Sequence, residues 1–203
     1  MELVGERWSL LIVRELMFGG RRFSDLRAGL PGISAKVLTE RLEGLEQAGI
    51  VQRRQLPPPV SAQVYELTRW GYAAEESIKA LGRWAASSPN HDHTLPLSAA
   101  SFMLSLRTMC DPGRAGDLAA TGAIHIGQDQ FFVEVADGVF RAERGEIEAP
   151  DFTFAAPTAS PIAFAVYGKL PFEGLAPMRL SVTGDQEKLR CFIDLFHLPE
   201  KIG

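Results

Sequence analysis

Between Trp8 and Leu45 the apolar residues recur at helical spacing in three short blocks, each closed by a helix-stopping residue. In the first block Trp8, Leu11, Ile12 and Leu16 share a face, and Gly19-Gly20 ends it. Ser24 is positioned to cap a second helix carrying Leu26 and Leu30, which Pro31-Gly32 stops. Ser34 is positioned to cap a third, with Leu38, Leu42 and Leu45 as one stripe and Gly49 at its end. Two short strands are predicted near 50–55 and 63–67. Pro57-Pro58-Pro59 lies between them and must be loop, because proline cannot donate to a strand ladder. Thr68 then opens a long helix to about Ala86, with Ile78, Leu81 and Trp84 on its apolar side.

After residue 96 the pattern changes. Phe102, Leu106 and Met109 mark a helix over 98–109, followed by strands near 121–126, 130–136 and 139–143. Gly127-Gln128-Asp129 and Asp137-Gly138 are hairpin turns. A further strand fits Phe152-Thr153-Phe154-Ala155, and Ser160-Pro161 begins a helix. A last strand fits Arg179 to Thr183, and Asp185 caps a final helix with Leu189, Phe192, Ile193 and Phe196 inward. The predicted fold class is α+β. Three helices and a hairpin wing are joined to a five-stranded antiparallel sheet with helices on one side.

The polar stretch Ser87-Ser88-Pro89-Asn90-His91-Asp92-His93-Thr94-Leu95-Pro96 separates the two patterns. It sets the expected organisation: a domain over 1–86, a linker over 87–96 and a second domain over 97–203. Charge divides in the same way. Residues 1–89 hold 12 Lys and Arg against 10 Asp and Glu, a net +2, whereas 90–203 hold 9 against 15, a net −6. Two modules with different partners are implied. The first half is only weakly basic, so contact with nucleic acid must rest on where the cations stand. No apolar run approaches the roughly 18 residues of a membrane span, and the N-terminus lacks a signal-peptide pattern. A cytoplasmic protein without membrane partners is expected. Cys110 and Cys191 match no metal spacing and are read as reduced thiols.

Three short helices followed by a hairpin is the order of a winged helix-turn-helix, and the third helix is the candidate reader. At about 100° per residue, Lys36, Glu40, Glu43 and Gln47 point away from the leucine stripe, with Thr39 on the flank. Residues near the start of such a helix reach base edges, here Ser34, Lys36 and Thr39. Arg21 and Arg22 precede the second helix, where contact with the DNA backbone is expected, and Arg53 and Arg54 lie on the wing. Each of these charges can also be read as part of a solvated face. Glu40 and Glu43 would repel phosphates.

The motifs agree with a known family. Gly5-Glu-Arg-Trp-Ser-Leu-Leu-Ile-Val-Arg-Glu-Leu16, Arg21-Arg-Phe-Ser-Asp-Leu-Arg27, Pro31-Gly-Ile-Ser-Ala-Lys-Val-Leu-Thr-Glu-Arg-Leu42, Leu45-Glu-Gln-Ala-Gly-Ile-Val51 and Tyr65-Glu-Leu-Thr68 with Gly71 resemble, in order and spacing, the HxlR-type winged-helix regulators. The resemblance covers about 4–86. It implies a homodimer on a double-stranded DNA operator, often palindromic, with an interface built from terminal helices. Family members usually carry a further stretch before the first motif, often with a cysteine that senses oxidants or electrophiles. This chain starts at Met1, just before that motif, so thiol sensing of that kind is not expected.

Ten of the twelve phenylalanines follow residue 95. They either form a large aromatic core or line an apolar ligand cavity. Phe131-Phe-Val-Glu-Val-Ala-Asp-Gly-Val-Phe140, Ala149-Pro-Asp-Phe-Thr-Phe154, Tyr167-Gly-Lys-Leu170 and Leu180-Ser-Val-Thr-Gly-Asp185 are similar, in their order, to sterol-carrier-protein-type domains. That resemblance implies an apolar tunnel between sheet and helices, with Phe102, Leu106, Phe164 and Phe192 as lining candidates and a hydrophobic small molecule as effector. Enzyme readings find little support. Nothing positions Cys110 against His125, His91-Asp92-His93 lacks a third ligand, and no cofactor motif is present. The sequence therefore reads as a DNA-binding transcriptional regulator, not an enzyme, whose second domain senses a hydrophobic molecule. The alternatives are a second domain that only dimerises or docks a protein, and a lipid carrier or enzyme whose winged helix binds protein.

Overall fold

The computed structural model describes residues 4–58, 61–92 and 95–203. Pro59 of the proline loop, and His93 and Thr94 of the expected linker, lie outside the described residues. The chain divides into two compact units, residues 1–80 and 81–203.

In the first unit α1 (Ser9–Glu15), α2 (Phe23–Gly29) and α3 (Ala35–Gln47) precede a two-stranded antiparallel ribbon, β1 (Val51–Gln55) and β2 (Gln63–Leu67). The core is formed by Ile12, Val13, Leu16, Leu26, Leu30 and the α3 stripe, where Leu38, Leu42 and Leu45 are at most 1% exposed. Burying a leucine stabilises by roughly 1.5–3 kcal/mol, so this stripe fixes which face of α3 looks outward. The first helix is shifted relative to its pattern. Trp8 is its N-cap in a left-handed conformation, Leu11 is exposed, and Val13 takes the inner place. Ser24 does not cap α2. Arg22 holds the cap position, while the Ser24 hydroxyl donates to the Asp25 carboxylate at 3.2 Å. Ser34 does cap α3, its Oγ accepting from the Val37 amide at 3.2 Å.

The long helix expected from Thr68 is broken into α4 (Arg69–Tyr72) and α5 (Glu75–Ala86). Thr68 Oγ1 accepts from the Gly71 amide at 3.0 Å and donates to the Gly49 carbonyl at 2.7 Å, so it ties the helix start to the end of the α3 turn. A Cβ on Gly71 would lie 2.2 Å from the Ile50 carbonyl oxygen, which explains the glycine. Ile78 is half-buried, but Leu81 and Trp84 are 48% and 74% exposed rather than packed inward.

In the second unit α6 (Ala99–Met109) is capped by Ser98, whose Oγ accepts from the Ser101 amide at 3.0 Å. The sheet holds β3 (Ala120–Ile126), β4 (Asp129–Ala136), β5 (Val139–Arg144), β6 (Phe152–Ala156) and β7 (Ser181–Gly184), in the order β5-β4-β3-β6-β7. Helices α7 (Ala159–Tyr167) and α8 (Gln186–Ile193) complete it. The hairpin turns are those expected, with positive φ at Gly127, Asp137 and Gly138. The sheet is mixed, not antiparallel: β6 runs parallel to β3, Gly122 facing Phe152 and Ile126 facing Ala156. The connection over 145–151 carries the chain past β4 and β3 to the other side of the meander. Nothing in local turn chemistry specifies that step. A Cβ on Gly122 would meet the Phe152 ring at 2.3 Å, so the glycine makes room for the neighbouring strand's aromatic.

One face of this sheet carries Phe131, Val133 and Val135 of β4 with Phe152 and Phe154 of β6, all at most 1% exposed. Phe192 of α8 lies 4.8 Å from Phe152, 4.9 Å from Phe196 and 6.1 Å from Phe140, centroid to centroid. The start of β6 is tied by Asp151. Its Oδ2 accepts from the Thr121 amide at 2.7 Å and its Oδ1 from Lys188 Nζ at 2.6 Å. These bonds hold the Asp151 carboxyl below the usual carboxylate pKa, the lysine bond contributing most. No helix among the described residues is long and apolar enough to cross a membrane.

Candidate nucleic-acid interface

The outward face of α3 is set by the burial of its leucines. Lys36 stands there with its side chain 86% exposed, its Nζ 3.8 Å from Glu40 Oε1. Thr39 is exposed, but its hydroxyl donates to the Ala35 carbonyl at 3.0 Å. With the hydroxyl turned back onto the helix, the methyl group is the part left for a partner, and a methyl suits contact with a thymine methyl. Ser34 is exposed, and its oxygen is engaged in the cap. The three proposed readers therefore occupy one helix end, each with different remaining chemistry.

On the wing, Arg53 and Arg54 are successive residues of one strand and point to opposite faces. Arg53 reaches Glu46 of α3 at 3.0 Å and lies over the ring of Tyr65, its cross-strand partner, at 5.5 Å. Arg54 pairs with Glu66 at 2.7 Å, and Glu66 also accepts from Gln52 Nε2 at 2.8 Å. Arg53 and Arg54 thus each have a carboxylate partner that sequence spacing did not assign, while Lys36 meets its i+4 neighbour on the same face. A pair as exposed as Arg53–Glu46 is worth about 0–1 kcal/mol, so a DNA phosphate can take Arg53 at small cost, whereas Glu66 is only 15% exposed and holds Arg54 more firmly.

Arg21 is fixed by its backbone, which exchanges two 2.8 Å hydrogen bonds with Tyr65 and joins the start of α2 to the wing. Arg22 is exposed at the α2 cap and lines a cleft of about 550 Å³ with Phe23, Ser24, Ser61, Ala62, Gln63 and Tyr65. Every polar side chain in that lining can donate a hydrogen bond and none is a carboxylate. None of Ser24, Ser61, Gln63 and Tyr65 is among the site residues expected from the sequence. Ser24 is two residues from Arg22, whereas Ser61, Gln63 and Tyr65 are about forty residues on, and the wing's return strand brings them beside it.

The residues proposed to hold a ligand in the second unit have other surroundings. Phe102, Leu106 and Phe192 are at most 1% exposed, and Phe164 is half-buried. Phe102 meets Tyr167 edge-on at 6.4 Å. Phe192 belongs to the aromatic cluster described above.

Comparison with known proteins bears on the first unit. Residues 3–93 match the HxlR-like helix-turn-helix family. The solved structure of the reduced form of the transcriptional regulator YodB from Bacillus subtilis aligns at 38% identity over 44% of this chain and 88% of that chain, with a TM-score of 0.40. YodB, an HTH-type transcriptional regulator of that organism, is 41% identical over 83 residues, 41% of this chain and 74% of the relative. YvaP, an uncharacterised HTH-type transcriptional regulator of the same organism, is 38% identical over 85 residues, 42% of this chain and 79% of the relative. With the family matched, and more than two thirds of each of these two regulators covered, the chain belongs to the HxlR-like helix-turn-helix family of transcriptional regulators.

Proposed function

We propose that the protein regulates transcription as a homodimer on a double-stranded operator. In this reading α3 reads bases through Ser34, Lys36 and Thr39, while Arg21, Arg22, Arg53 and Arg54 hold the DNA backbone. The supporting observation is the division of α3 into a fully buried leucine face and an exposed face headed by Lys36 and Thr39. A chromosomal operator puts the site of action in the cytoplasm. The dimer reading draws on Leu81 and Trp84, three residues apart on α5 and both exposed. A second copy of the chain would cover them.

Residues 97–203 are read as a regulatory domain joined through 87–96. The sterol-carrier-like order of elements suggests a hydrophobic effector. The burial of Phe102, Leu106 and Phe192 favours the other reading, a domain that dimerises or docks a protein partner. An effector would have to open that packing, and it would alter operator affinity only by preferring one arrangement of the protein.

Sequencing the DNA fragments that the purified protein selects from its own genome tests the operator. Each phosphate neutralised should contribute about −0.9 to the log–log salt slope, so a moderate slope shared over two half-sites is expected. Sedimentation of wild type and Trp84→Glu tests the dimer, the variant running as a monomer. Failure to enrich any sequence would overturn the operator reading. A screen of fatty acids, sterols and aromatic compounds by native mass spectrometry decides between the two readings of the second domain.

A further inference from the structure

The outward face of α3 carries a feature that phosphate binding does not explain. Lys36 and Glu40 both lie within about 30° of the direction opposite the leucine stripe. They are 86% and 48% exposed, with Lys36 Nζ 3.8 Å from Glu40 Oε1. Glu43 and Gln47 continue the same face and are exposed. A helix lying in the major groove turns the centre of its outward face to base edges, and its flanks to the phosphates. At that centre a carboxylate is repelled by the carbonyl oxygens of guanine and thymine and finds a donor in the amino group of cytosine or adenine. Only beside cytosine does the partner base offer a lysine two acceptors, guanine O6 and N7.

We infer that Lys36 and Glu40 act as one unit that reads a single G·C base pair. Lys36 donates to guanine O6 or N7, and Glu40 accepts from cytosine N4. This rests on the operator reading above. The spacing supports it. Within a G·C pair the cytosine amino group and guanine O6 are hydrogen-bonded to each other, about 2.9 Å apart. A lysine–glutamate pair separated by 3.8 Å matches that polarity, cation against acceptor and carboxylate against donor. Because the pair is exposed, opening it to meet the bases costs about 0–1 kcal/mol at most.

The carboxylate has a second effect. Over guanine or thymine it faces an acceptor, and an A·T pair leaves Lys36 only the single thymine O4, so the carboxylate weakens binding to DNA in general while sparing the correct site. Specificity in this weakly basic domain thus comes partly from a residue that lowers affinity for everything else.

The experiment is selection of binding sites from a library of random-sequence duplexes by wild type, Lys36→Ala, Glu40→Ala and Glu40→Gln. It is followed by titration of the selected operator with each base pair changed in turn. Both alanine variants should flatten the preference at the same G·C pair, by about 5- to 150-fold, the range for one good base contact, and leave other positions as in wild type. Glu40→Ala should also bind random-sequence duplex more tightly than wild type does. Glu40→Gln, which keeps the side chain's shape, should move the preference at that pair toward adenine, the base an amide reads. Thermal unfolding checks that all variants remain folded. If wild type selects an operator but the variants share its preference at every position, or lose preference at two separate base pairs, the paired reading is overturned and the regulator reading stands. If wild type enriches no sequence, the operator reading itself fails.

Discussion

The outward face of α3 and the inner face of the second unit's sheet use the same chain in opposite ways. On α3 the informative side chains are polar, exposed and loosely paired, as Lys36 is with Glu40. On the sheet they are aromatic and buried, Phe152, Phe154 and Phe192 meeting ring to ring. A face proposed to meet DNA must stay in water, and a core that must hold a sheet cannot be left there. Changes of similar size should therefore cost stability in one region and recognition in the other.

The largest effect is expected at Phe192. It contacts three other rings and is 1% exposed, so Phe192→Ala leaves a cavity and should lower unfolding free energy by about 3–5 kcal/mol. Chemical denaturation would measure it. A loss below 1 kcal/mol would mean that the cluster is not the core of its unit.

Asp151 comes next, because it replaces packing with charge. Asp151→Asn removes the ionised acceptor of the Thr121 amide and Lys188, and should cost about 1.5–3 kcal/mol at neutral pH. Folding depresses the pKa of this carboxyl. Its contribution is therefore complete above the unfolded value, about pH 3.9, and is lost as pH falls through the lower folded value. Wild type and Asp151→Asn should converge in stability as the solution is acidified below about pH 4. A constant gap down to the lowest accessible pH would place the effect elsewhere.

Ser34→Ala tests the boundary between the two kinds of region, since this side chain both caps a helix and stands among the proposed readers. Loss of the cap should cost about 1 kcal/mol. Ser34→Asn restores a neutral acceptor at the cap and should recover the stability. If it recovers stability without operator binding, the hydroxyl also has a role in recognition.

The smallest expected effect on stability is at Lys36. Lys36→Ala should change unfolding free energy by no more than about 0.5 kcal/mol, as is usual for an exposed residue, while operator binding falls. A melting shift as large as that of Ser34→Ala would break the contrast and make the Lys36–Glu40 pair structural.

The first unit was legible in outline because its signals are local. The α3 cap and the leucine spacing appear in the structure where the sequence puts them. The start of the first helix escapes its pattern because Trp8 and Leu11 match helical spacing equally well, whereas Val13 fills the core. Ser24 does not cap as expected because serine one residue inside a helix looks the same in sequence as serine at its edge. The second unit's strands and both hairpin turns were also legible. Its sheet was not, since β6 could join either side of the meander with the same alternation of residues. The candidate site divides likewise. The cations could be named, but not their carboxylate partners, nor the serines, glutamine and tyrosine that line the cleft beside Arg22.

The sequence by itself determined the family, the order of elements in each unit and the residues that α3 turns outward. These follow from caps, turns and periodicities that act over a few residues. Tertiary structure alone decided the parallel pairing of β6 with β3, the break after Tyr72 and the exposure of Trp84. It also decided which carboxylate holds each wing arginine. Those features depend on contacts between residues far apart in the chain, and such contacts leave no mark in the spacing of neighbours.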